Sequence, residues 1–139
     1  MAVTKNITYG KTLGQAYREE MRRDKSVYLI GEDVGRWGSL YRASKGLLAE
    51  FGPRRVKDAP LSEAAIAGCA VGSAAMGMRP IAEIMYIDFI TIAMDQIVNH
   101  AAKWYQLSGG KVKMPIVFRT QGGAGRRNSS QHSQSLENW

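Results

Sequence analysis

Only one cysteine, Cys69, occurs in 139 residues, so no internal disulfide can form and stability has to come from packing. The composition is not that of a disordered tail, a collagen-like repeat or a disulfide scaffold. No run reaches the ~18 uncharged apolar residues needed to span a bilayer. The first residues, Met1-Ala2-Val3-Thr4-Lys5-Asn6, have neither the apolar core nor the small-residue cleavage pattern of a secretory signal. Without secretion the sequons Asn6-Ile7-Thr8 and Asn128-Ser129-Ser130 carry no meaning, and a cytoplasmic address is the expectation. Zinc-finger spacing, an RNA-binding aromatic motif and a basic heptad run are all missing.

What remains is an ordinary globular composition, 45% hydrophobic and 22% charged. A chain of this length is one domain and should bury roughly two thirds of its unfolded surface. Nineteen basic residues against twelve acidic ones leave a net charge of +7. The basic residues are dispersed as Arg22-Arg23, Arg54-Arg55, Lys111-Val112-Lys113 and Arg126-Arg127 rather than gathered into one stripe, which argues against nucleic acid. An acidic partner, or an acidic remainder of a longer protein, balances the charge as well.

Periodicity gives an alternating order of elements. Residues 8–23 read as a helix, with Leu13, Ala16, Tyr17 and Met21 at helical spacing. Val27-Tyr28-Leu29-Ile30 is an unbroken apolar run, the mark of a buried parallel strand, and it stops at Gly31. A polar loop punctuated by Gly31, Gly35 and Gly38 leads to a short helix over 45–51, ended by Gly52-Pro53. A brief extended piece from Val56 to Asp58 precedes Ser62, an N-cap residue type opening a helix over 63–76 that is crowded with alanine and glycine. Residues 80–85 read as a third strand, 88–106 as one long helix, 115–119 as a fourth strand and 122–139 as polar loop. Strand and helix in alternation predict an α/β domain, a parallel sheet flanked by helices.

The chemistry-bearing residues cluster where strands end, the edge at which open parallel sheets bind ligands. Asp58-Ala59-Pro60-Leu61-Ser62-Glu63 sets one carboxylate at the head of an otherwise apolar helix. On spacing alone, Glu63 is best read as complementing the helix dipole, although partial desolvation would equip it to share a proton. Glu32 and Asp33 follow the first strand without a third ligand at a metal-binding interval. Gly122-Gly123-Ala124-Gly125-Arg126-Arg127 follows a strand but lacks both the nucleotide-triphosphate ending and the dinucleotide spacing, so a flexible loop is the simpler reading. His132 stands alone in a polar loop. His100 is expected to be a satisfied core histidine, Cys69 to be buried, and Met85, Tyr86 and Phe89 to belong to the core or to line a pocket.

Taken in order, Gly31-Glu32-Asp33-Val34-Gly35, Arg55-Val56, Pro60-Leu61-Ser62-Glu63, Gly68, Gly72, Arg79-Pro80, Asp88-Phe89, Asp95-Gln96-Ile97, Ser108-Gly109-Gly110, Pro115-Ile116-Val117 and Gln131-His132-Ser133-Gln134 resemble the beta subunit of the thiamine-diphosphate-dependent 2-oxo acid dehydrogenases, which act on pyruvate, branched-chain 2-oxo acids or acetoin. The resemblance implies a transketolase-like pyrimidine-binding domain over residues 1–139, stopping before a further C-terminal domain. It implies a thiamine diphosphate site shared with an alpha subunit, which carries the magnesium and the diphosphate; this chain has no Gly-Asp-Gly motif. Partners so implied are that alpha subunit, in an alpha2beta2 assembly, and a lipoyl acyltransferase component. Glu63 matches the glutamate that hydrogen-bonds the pyrimidine nitrogen, Phe89 the aromatic against the ring, with Met85 nearby, and Glu32 an acid close to the cofactor. His132 matches a histidine used in acyl transfer to lipoyl-lysine, and Ile116 a backbone ligand of a structural potassium ion. The stretch Arg126-Arg127-Asn128-Ser129 departs from relatives, where small apolar residues are common. Two other readings stay open: a non-catalytic interaction module of this fold, and another thiamine-dependent transketolase-like enzyme.

Overall fold

The structure, a computed structural model, describes residues 7–123, 125 and 127–139. The segment Met1–Asn6, and Ala124 and Arg126 of the glycine-rich stretch, lie outside the described residues. The strands β1 (Val27–Gly31), β2 (Val56–Asp58), β3 (Arg79–Glu83) and β4 (Val117–Arg119) form one sheet in the order β2-β1-β3-β4. All three pairings are parallel, with Leu29 opposite Val56 and Ile81, and Glu83 opposite Arg119. The chain therefore runs outward from β1 to β2 and then returns to the other side of β1. The winding changes direction between β1 and β3, and it is at the carboxyl ends of such a pair that open parallel sheets bind ligands.

Successive strand residues face opposite sides, so β1 feeds two cores. Val27 and Leu29 join Tyr17 and Met21 of helix α1 (Tyr9–Arg23) and Leu47 of helix α2 (Leu47–Phe51). Tyr28 and Ile30 turn the other way, to Ile66, Ala67 and Ala70 of helix α3 (Glu63–Ala75). Small side chains on α3 allow this close approach, and Tyr28 reaches Ser73 with its hydroxyl 2.7 Å from Ser73 Oγ. The α/β architecture inferred from the alternating pattern is the one observed.

The chain departs from expectation in three places. The long helix over 88–106 is broken into a 3₁₀ stretch (Ile87–Ala93), a π turn (Gln96–Ala101) and a short α-helix, α4 (Trp104–Leu107). Ile87, Ile90, Thr91 and Ile92 bring β-branched crowding to the first segment, and Thr91 Oγ1 donates to the Asp88 carbonyl at 3.0 Å, competing with an α-helical bond. His100 is exposed rather than in the core, and its Nε2 lies 3.6 Å from Asp95 Oδ2. Cys69 is exposed as well, in a pocket it lines together with Ile30 of β1 and Val56 of β2. Ser62 does occupy the N-cap of α3, but its side chain makes no capping bond.

Candidate active-site edge of the sheet

Because the four strands are parallel, the residues that follow them gather at one edge. Gly31 ends β1 against the end of β3: an added Cβ would sit 2.8 Å from Val34 Cγ1 and 2.9 Å from the Glu83 carbonyl oxygen. Only glycine leaves room there, and Glu32 follows it directly. Burial raises the Glu32 carboxyl above its ordinary range, with further upward pressure from the charges of Asp33 and Glu63. Glu32 and Glu63 are thus brought close enough to sense each other.

Glu63 is the first residue of α3 and is buried, with 6% of its surface exposed. Its carboxylate forms no hydrogen bond among the described residues. The approach to it is held rigid from the neighbouring strand end, where Asp58 accepts bonds from the Gly35 and Arg36 amides at 2.5 and 2.9 Å. An ionised or proton-sharing carboxylate at a helix N-terminus is favoured by the exposed amide dipoles.

A second group forms around His132. Its ring meets Tyr86 edge-on at 4.7 Å and Phe89 edge-on at 5.2 Å, while Tyr86 and Phe89 contact each other at 6.2 Å. His132 and Tyr86 line a cleft of about 420 Å³ together with Leu40, Tyr41, Gln121 and the glycines of the following loop. Neither Glu63 nor Glu32 lines this cleft. Phe89 also packs on the α3-side core, so it lies between the cleft and that core. Met85 is half-buried next to Tyr86. Ile116 packs on the same core just before β4, and its amide donates to the Met114 carbonyl at 2.8 Å. Among the described residues no three His, Cys, Asp or Glu side chains gather into a metal-holding group.

Two polar features of this edge were not anticipated from sequence. Glu83 Oε2 lies 3.2 Å from Arg119 Nη1 with both side chains largely buried, and the Tyr17 and Ser39 hydroxyls adjoin the pair. Burial pushes the Glu83 carboxyl up, against the lowering effect of Arg119. Burial, reinforced by the Glu83 charge, pushes the Tyr17 hydroxyl up strongly. The signal was present: an acid within an apolar run, on a strand with helices on both faces, has to find a partner. The other feature is Asp88, 5% exposed, whose Oδ1 accepts from Gln134 Nε2 at 2.9 Å while Oδ2 has no partner.

The family model for the transketolase pyrimidine-binding domain matches residues 5–139. Among curated relatives, pyruvate dehydrogenase E1 component subunit beta of Rickettsia conorii is 50% identical over 129 residues, covering 93% of this chain and 40% of the relative. The mitochondrial beta-2 subunit of the same component from Oryza sativa subsp. japonica is 45% identical over 138 residues, 99% of this chain and 37% of the relative. The human mitochondrial beta subunit is 43% identical over 133 residues, 96% of this chain and 37% of the relative. The chain therefore spans about two fifths of the length of these relatives. On the extent of the family match and the parallel sheet that accompanies it, the chain belongs to the transketolase pyrimidine-binding domain family.

Proposed function

We propose that this chain supplies the pyrimidine half of a thiamine diphosphate site in the beta subunit of a 2-oxo acid dehydrogenase, with pyruvate as the substrate. The observation that carries the reading is Glu63: a buried carboxylate at the head of α3, beside Glu32, with no hydrogen bond among the described residues. A buried acid without an internal partner is costly unless a ligand completes it. A ring nitrogen that shares a proton with a carboxylate fits that need, and an apolar platform such as Phe89 fits the face of a flat heterocycle. The names and identities of the pyruvate dehydrogenase relatives support the choice of pyruvate over branched-chain acids.

In this reading Glu63 holds or releases a proton at the ring nitrogen. Burial, with the charges of Asp33 and Glu63, pushes the Glu32 carboxyl up, which disfavours a second full negative charge beside Glu63. When bound, thiamine diphosphate supplies the nucleophilic carbon and the electron sink for decarboxylation. Magnesium and the diphosphate would be held by the alpha subunit, and the Ile116 carbonyl would be a ligand of a structural potassium ion. His132, held by two aromatic edges at the cleft, assists acyl transfer to the lipoyl group of an acyltransferase component.

The test is Glu63→Gln in the full-length beta subunit assembled with its alpha subunit. Loss of proton sharing should lower decarboxylation by about 10²–10⁴-fold while the thermal midpoint stays within a few degrees. Turnover close to that of the parent enzyme removes the assignment.

A further inference from the structure

We infer that the hydrogen bond between Asp88 and Gln134 is the device that positions His132, and this rests on the proposed role of His132 in acyl transfer. Asp88 sits in the segment that also carries both rings touching His132, Tyr86 on one side and Phe89 on the other. Its Oδ1 accepts from Gln134 Nε2 at 2.9 Å, two residues beyond the histidine. Gln134 is fastened through its backbone as well, since its carbonyl accepts from the Gly123 amide at 2.8 Å. On the near side of His132 the Asn128 amide donates to Ser133 Oγ at 3.2 Å.

The loop has little freedom to relax around this bond. An added Cβ at Gly122 would fall 2.3 Å from Ile87 Cγ2 and 2.9 Å from the Gln134 carbonyl oxygen, so the two segments touch where the bond is made. The Ile87 amide donates to the Gln121 carbonyl at 2.7 Å, closing the same junction from β4. The remaining Asp88 oxygen is buried and unpartnered. A carboxylate kept in that condition is a poor choice for stability alone, and its one strong bond goes to the histidine loop. Asp88 and Gln134 are positioning residues: neither lines the cleft, and they act through the placement of the His132 ring.

The experiment uses the full-length beta subunit assembled with its alpha subunit, with two readouts. One is transfer to an isolated lipoyl domain and the other is oxidative decarboxylation with ferricyanide as acceptor. Gln134→Ala removes the bond from the exposed side, so folding is the smaller risk. It should lower kcat/KM for transfer by about 10–10²-fold and leave the ferricyanide rate within about twofold, since a misplaced group costs rate only in the step that uses it. The swap Asp88→Asn with Gln134→Glu reverses donor and acceptor, and should restore transfer to within about threefold of the parent. A parallel loss of both activities in Gln134→Ala, or no rescue by the swap, overturns the positioning role. If His132→Gln impairs transfer and Gln134→Ala does not, the inference fails while the role of His132 stands. If His132→Gln leaves transfer intact, the reading of His132 fails and takes this inference with it.

Discussion

The two ends of the sheet treat charge in opposite ways. At the amino ends of the strands, charged groups are satisfied within the chain. Arg55 donates to the carbonyls of Met21, Asp24 and Val27, closing the C-terminus of α1, and its guanidinium lies 5.2 Å from the Phe51 ring centre. Asp24 accepts from the Ser26 amide and hydroxyl and pairs with Arg79, while Glu50 takes Arg18 and Arg22. Bonds from Ser26 hold the Asp24 carboxyl below its usual range, and those from Arg18 and Arg22 do the same for Glu50. At the carboxyl ends, Glu32 and Glu83 are pushed up by burial, Asp88 keeps one oxygen unpartnered, and Glu63 has no internal hydrogen bond. One end is arranged for stability. The other carries acids under conditions that cost stability, which is the arrangement expected where a ligand or partner completes the site.

The sharpest way to break this contrast is Arg119→Met, which leaves Glu83 as an uncompensated buried carboxylate. The expected loss is about 3–5 kcal/mol, read from chemical denaturation, and adding Glu83→Leu should recover most of it. If Arg119→Met costs no more than a surface substitution, the buried end is better solvated than its geometry indicates. A smaller effect separates the ends by pH. The raised Glu83 carboxyl means the folded chain keeps a proton that the unfolded chain has released. Its contribution to stability therefore declines as the pH rises from the ordinary carboxylate value of about 4–4.5 through the raised folded value. Glu83→Gln should gain on the parent steadily across that window in thermal midpoint. Asp24, whose carboxyl is lowered, runs the other way. Its contribution is present above the unfolded value and is lost as pH falls through the folded one, so the deficit of Asp24→Asn should shrink on acidification. The smallest effect belongs to Glu50→Gln, an exposed pairing whose removal should matter little and should cease to register as salt is raised.

The framework of the fold was legible because its signals are local. Val27–Ile30 is continuous and apolar, and it proved to be a strand buried on both faces. The expected α1, β2 and α3 begin within about one residue of where they were placed, which is as well as helix and strand ends are defined. The break in the 88–106 segment was not legible. Its apolar spacing is helical, and the competing bond from Thr91 and the burial of Asp88 depend on residues brought near by folding. Cys69 and His100 were misplaced for a related reason. The uniformly small, apolar α3 carries no polar stripe to say which side faces out, and a helix that changes pitch at Gln96–Ala101 rotates its face away from the expected register.

The candidate site divides in the same way. Residue type and punctuation put Glu63 at a helix head, Glu32 after β1 and His132 after β4. Spacing alone favoured a helix-dipole acid and an isolated loop histidine, and only the family resemblance singled them out. Their grouping was not legible. Glu32 senses Glu63, whereas His132 joins Tyr86 and Phe89 in a separate cleft, and the bonds that define these groups span tens of residues. Residue order and apolar periodicity were enough to specify a parallel α/β layer and the edge to which its post-strand loops run, since both follow from backbone geometry and side-chain alternation. Which acids are buried, which of them stay unpaired and which loop is pinned beside His132 arose only when distant segments packed together, because desolvation and hydrogen-bond partnership are properties of neighbours in space.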